Sequence, residues 1–76
     1  MLIMNSERKK AILHALERAW KDGRIGLNVL ELSEETGISR ITIAKYVERL
    51  KAEGKIKERN CGKGIKLYVL SRYYKF

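Results

Sequence analysis

The amino-acid sequence predicts an α+β chain, three helices followed by a C-terminal β-hairpin, and three observations predict it. Apolar residues recur at three- and four-residue spacing up to Leu50, then at two-residue spacing beyond Gly54. Each helical stretch has a polar capping residue at its start and a glycine after its end. The alternating stretch is split by Asn60-Cys61-Gly62-Lys63-Gly64, a run rich in turn residues.

Ser6 is suited to cap the first helix, and Glu7 is a favourable charge for the positive end of its dipole. Ile12, Leu13, Leu16, Ala19 and Trp20 form one apolar stripe that packs into the core, and Gly23 ends the helix. His14 falls off the stripe and reads as a surface residue without a role. Arg24 to Leu27 is a short strand or extended connector. Asn28 followed by Glu31 spells a capping box, which starts a second, short helix at Val29. Leu30 faces inward together with Val29 or Leu32, and Gly37 stops this helix. Ile38 is the apolar residue of a tight turn, and Ser39 caps a third helix. Ile43, Tyr46, Val47 and Leu50 sit at i, i+3, i+4 and i+7, a buried face. Gly54 terminates this helix. Its other face carries Arg40, Ile41, Ala44, Lys45, Glu48 and Arg49, exposed and net basic. In the hairpin, Lys55 to Arg59 alternates and Ile65 to Leu70 is a β-rich run. The aromatic, basic tail from Ser71 to Phe76 is assigned no element.

A chain of 76 residues makes one small domain, which buries only about 60% of its extended-chain surface. Cys61 is the only cysteine and His14 the only histidine, so neither an internal disulfide nor a zinc site can be assembled. No apolar run approaches the roughly 18 residues of a membrane span. Met1-Leu2-Ile3-Met4 is too short for the apolar region of a signal peptide, and the chain reads as cytoplasmic with no membrane partner. The lack of proline and glutamine, with abundant Lys, Glu and Ile, leans towards a thermophilic source.

The formal net charge is +8, and its distribution is uneven. Residues 1–38 carry six basic and six acidic side chains; residues 39–76 carry eleven basic and three acidic. The whole excess therefore lies in one half, the electrostatic footprint of a face built for a polyanion. Two helices joined by a glycine-containing turn, with a basic hairpin after them, suit that partner being duplex DNA. The third helix fits a major groove about 12 Å wide, leading with its N-terminal residues. There its first-turn amides and the Ser39 hydroxyl are placed for a phosphate. Arg40 offers a forked set of donors to guanine O6 and N7. Ile41 or Ala44 suits a thymine methyl, and Thr42 either bonds a phosphate or caps the turn. Lys45 reaches a base edge and Arg49 the backbone.

These residues resemble the winged helix-turn-helix family of transcription regulators. The stretch Leu30, Ser33, Gly37, Ile38, Ser39, Arg40, Thr42, Ile43, Leu50, Gly54 and Ile56 is similar to the family's helix-turn-helix. Arg59, Gly62, Lys63, Gly64, Tyr68 and Leu70 resemble its wing, and the likeness spans about residues 8 to 70. The resemblance implies a third helix that reads bases through Arg40, Ile41, Ala44 and Lys45. It implies a wing that touches backbone or minor groove through Lys57, Arg59, Lys63 and Lys66. No added ligand-binding segment is evident, so neither a cofactor nor a small-molecule ligand is expected.

Each of these features also has a plainer reading. Trp20 and Tyr46 are spaced for core packing rather than base stacking. The hairpin lysines guard an edge strand in any case, and Cys61 at its tip reads as an incidental exposed thiol. A catalytic reading lacks parts, because adjacent Glu34 and Glu35 point to different sides of a helix and no nucleophile has a partnering base. Two alternatives use the same fold, an RNA- or Z-form-duplex binder and a protein-interaction module. The Z-form subclass carries paired wing prolines, which are absent, and an interaction module needs an apolar face such as one row of Ile65 to Leu70. With no second domain to touch polymerase, repression is expected rather than activation. Met1 to Met4, Tyr73, Tyr74 and Phe76 are the surplus apolar surface for a homodimer.

Overall fold

The computed structural model describes residues 6–74. Its elements are α1 (Ser6–Lys21), α2 (Val29–Thr36), α3 (Arg40–Ala52), β1 (Ile56–Asn60), β2 (Lys66–Leu70) and a 3-10 turn (Ser71–Tyr73). β1 and β2 pair antiparallel, with Ile56 opposite Leu70 and Asn60 opposite Lys66. The expected order of three helices and a hairpin is what forms.

The core shows why the helical stripes lie where they do. Ile12, Ala15, Leu16 and Ala19 of α1 meet Leu32 of α2, the α3 set Ile43, Tyr46, Val47 and Leu50, and Ile56, Tyr68 and Leu70 of the hairpin. The connector contributes Leu27, fully buried and joined to Tyr68 by an isolated bridge. The Leu27 amide donates to the Tyr68 carbonyl at 3.1 Å, and the Tyr68 amide donates back at 2.8 Å. The short strand expected at Arg24 to Leu27 is thus one residue long. Gly26 beside it lies so close to β2 that an added Cβ would stand 2.9 Å from the Tyr68 carbonyl oxygen.

Four expectations need correction. α1 already includes Ser6, so Ser6 is not its cap and the capping position falls outside the described residues. Leu30 is half exposed and Leu32 is the fully buried side chain of α2. One residue is about 100° around a helix, so the row through Leu32 and Val29 turns Leu30 aside. Trp20 lies at the margin of the core, 37% exposed, with its ring stacked on Tyr73 at 4.8 Å between centroids. The tail accounts for that stack, because it turns back onto α1. The Tyr73 hydroxyl donates to Glu17 and the Arg72 guanidinium pairs with the same carboxylate. Tyr73 is therefore committed within the chain rather than spare for a second copy, while Met1 to Met4 and Phe76 lie outside the described residues.

Among the described residues no helix is long and apolar enough to cross a membrane. Nor does any group of three or more His, Cys, Asp and Glu among them suit a metal ion.

Candidate nucleic-acid interface

The turn between α2 and α3 sets the angle at which α3 is presented, and short-range hydrogen bonds hold it. Gly37 takes φ 75°, a left-handed conformation costly for other residues, and its amide reaches back to Ser33 at 2.8 Å. The Ser33 hydroxyl donates to the Ile38 carbonyl at 2.5 Å, and the Ile38 amide donates to Thr36 Oγ1 at 3.3 Å. At the start of α2 the capping box is complete. The Glu31 amide donates to Asn28 Oδ1 at 2.7 Å and the Asn28 amide donates to Glu31 Oε1 at 3.0 Å. The helix leading into the turn is fixed at both ends.

Ser39 caps α3 as expected, accepting from the Thr42 amide at 3.3 Å. Its own hydroxyl proton goes to Thr42 Oγ1 at 2.9 Å. Outward hydroxyl donation at this end therefore falls to Thr42. The expected outer face is exposed throughout, with Arg40, Ile41, Ala44, Lys45, Glu48 and Arg49 all open to solvent. Arg49 is partly committed, its Nε lying 3.4 Å from Glu53.

The hairpin presents Lys57 exposed on β1, Arg59 half-buried two residues further on, and Lys66 exposed at the start of β2. Its tip is tight. The Ile65 amide donates to the Gly62 carbonyl at 2.9 Å, across Lys63 at φ 49° and Gly64 at φ 75°. Gly62 at φ 78° precedes them, so three successive positive φ values close a three-residue loop, with the Cys61 amide donating to the Ile65 carbonyl at 2.9 Å. Among the described residues Lys63 is the non-glycine residue placed in that sterically costly region, and it is exposed at the tip. Cys61 is exposed next to it.

Sequence reasoning missed the fastening between α3 and the hairpin. Lys51 of α3 donates to Glu58 of β1 at 2.9 Å, and Lys66 of β2 lies 3.9 Å from the same carboxylate. The Lys51 hydrogen bond holds the Glu58 carboxyl below its ordinary 4.5 and raises the Lys51 ammonium above 10.5. Burial pushes the neighbouring Tyr68 phenol up. The signal was present, since Glu58 is the one acidic residue within either strand, but a charge tally records it only as a deduction.

All three acidic residues of the basic half are engaged. Glu48 lies 3.5 Å from Lys51; Glu53 meets Lys9, Arg49 and Lys55; Glu58 meets Lys51 and Lys66. Among the described residues of that half, Arg40 and Lys45 of α3, Lys57 of β1 and Lys63 of the tip are left with no acidic partner. Arg8 and Lys10 of α1 are likewise unpaired among the described residues.

A helix-turn-helix whose second helix is exposed and basic, followed by a basic hairpin fastened to it, defines a class of DNA-binding fold. The profile of the winged helix-turn-helix DNA-binding family matches residues 6–57, from the start of α1 into β1. The chain belongs to that family. No curated protein matches the chain.

Proposed function

We propose that this chain reads specific duplex DNA sequences and regulates transcription, with α3 in the major groove and the hairpin on the backbone or in the minor groove. The observation that carries the reading is where the unpaired cations of the basic half lie among the described residues: Arg40 and Lys45 on α3, Lys57 and Lys63 on the hairpin. A surface cation without an acidic neighbour keeps its field for phosphate and releases a counterion on binding. In this reading Arg40 forks onto a guanine, Ile41, Ala44 and Lys45 face bases, and Arg49 reaches the backbone. Thr42, held by Ser39, donates to a phosphate, and Lys57, Arg59, Lys63 and Lys66 form the wing contacts. It is a binder and not a catalyst, without cofactor or small-molecule ligand. A single module of this size covers about one half-site, so two chains occupy each duplex as a homodimer. Occupancy alone excludes polymerase from the same stretch, and repression is the regulation that needs least else.

The test titrates Arg40→Ala and Lys63→Ala against selected and scrambled duplexes at two salt concentrations. With about five cations per chain on phosphates, log affinity should fall with log salt at a slope near −4 to −5 per chain. Arg40→Ala should cost about 1–3 kcal/mol on the selected duplex and much less on the scrambled one. Lys63→Ala should weaken both alike and lower the slope by about one. The same titration should reach saturation at two chains per duplex. A slope near zero, or equal binding of selected and scrambled DNA by the unaltered chain, overturns the reading.

A further inference from the structure

We infer that Ile41 reads the 5-methyl group of a thymine, so that each half-site contains a T·A pair selected by an apolar contact. The inference rests on the groove reading above and names what α3 selects. Ile41 is 73% exposed, against 51% for Ile65, 50% for Ile25, 49% for Leu30 and 37% for Trp20. It is the most open of these five side chains, and it sits in the middle of a polar, basic helix face.

Its direction is as telling as its exposure. Ile43, Tyr46, Val47 and Leu50 are the buried residues of α3 and define the helix's inward side. At about 100° per residue, Ile41 points within about 10° of the direction opposite their mean. Arg40 points more than about 100° away from that outward direction and so flanks the face rather than heading it. The side chain at the centre of the leading turn is therefore apolar. Ala44, one turn further on and also exposed, adds only a methyl group and leaves room for close approach. Thr42 does not compete, being half-buried and bonded to Ser39.

A major groove offers one apolar group on its base edges, the thymine methyl. Docking any other base there would press an aliphatic side chain against donors or acceptors that then lose water. The isoleucine thus rewards thymine and penalises the alternatives, while the cations beside it hold the backbone in register.

Uracil provides a clean probe, because it lacks only the methyl and keeps every hydrogen-bonding group. Each thymine of the selected duplex is replaced by uracil in turn, and the duplexes are titrated with the full chain. At one position per half-site the unaltered chain should lose about three- to tenfold in affinity. At that position Ile41→Ala should bind the thymine and uracil duplexes equally, and Ile41→Val should keep part of the difference. Melting temperatures of both variants should match the unaltered chain, which separates contact loss from unfolding. If no uracil substitution weakens binding, or if the penalty persists in Ile41→Ala, the inference is overturned while the groove reading stands. If the unaltered chain does not prefer selected over scrambled duplex, the groove reading falls and takes this inference with it.

Discussion

Gly26 lies where the connector between α1 and α2 passes closest to β2, and there a single hydrogen in place of a methyl decides the fit. A Cβ would stand 2.9 Å from the Tyr68 carbonyl oxygen and 3.0 Å from the Leu67 Cβ. The oxygen belongs to backbone that pairs with Leu27 on one side and Glu58 on the other, so it has little freedom to retreat. Gly26→Ala should therefore destabilise the chain by about 1–3 kcal/mol, read as a fall in melting temperature. A variant as stable as the original would show that the connector can move off the sheet. Nothing in the order of residues announces this contact, because it is made by chain segments about forty positions apart. Cap chemistry is different in kind: Asn28 with Glu31, and Ser39 with Thr42, close over three residues and can be read along the chain.

The same contrast holds for whole elements. The helices were legible because a 3.6-residue period leaves an apolar mark with glycines beyond it, and the hairpin because a two-residue period follows. Leu30 and Trp20 were misplaced for one reason: apolar character says that a side chain can be buried, not that an opposing surface is there to bury it. Val69 shows the converse. It is buried although it shares a row with half-buried Leu67 and exposed Ile65, so that row offers no continuous apolar face to a protein partner. Of the candidate site, the exposed residues of α3 were readable from the gaps in its buried stripe. The fastening of the hairpin through Glu58 was not, since it depends on Lys51 and Lys66 arriving from two other elements. Glu58 now carries its own prediction. Glu58→Gln should release both cations towards a polyanion, raising affinity for scrambled duplex and steepening the salt slope by about one to two. Selected duplex should gain less, because a loosened hairpin gives up part of the register that specific contacts need. Unchanged binding to scrambled DNA would mean that Lys51 and Lys66 remain out of its reach.

At the scale of the molecule, the acidic residues do two jobs with few members. Glu17, Glu53 and Glu58 each gather two or more cations, and each draws together parts distant in the chain. Glu17 joins α1 to the tail, Glu53 joins α1 to the end of α3, and Glu58 joins α3 to the hairpin. Hydrogen bonds from Arg72, Lys9 and Lys51 respectively hold the three carboxyls below their ordinary value of 4.5. The unfolded chain, whose glutamates titrate near 4.5, therefore takes up protons at a higher pH than the folded chain does. Stability from these groups is present above 4.5 and drains away as pH falls through the lower folded values. Lys51 gives the mirror case, with stability present below 10.5 and lost as pH rises through its raised folded value. The pairs are solvent-facing, so each contributes little and salt should weaken it. The expected outcome is a melting temperature that is flat from pH 7 to about 5 and falls below 4.5 at low salt. Rising net positive charge also destabilises a chain that is already basic, so the fall alone does not identify its source. Glu53→Gln distinguishes the two: it removes a carboxylate that meets three cations, lowers the melting temperature at pH 7 and flattens the acid limb. If Glu53→Gln instead follows the original curve without offset down to pH 3, acid acts through net charge and the Glu53 ties hold nothing together.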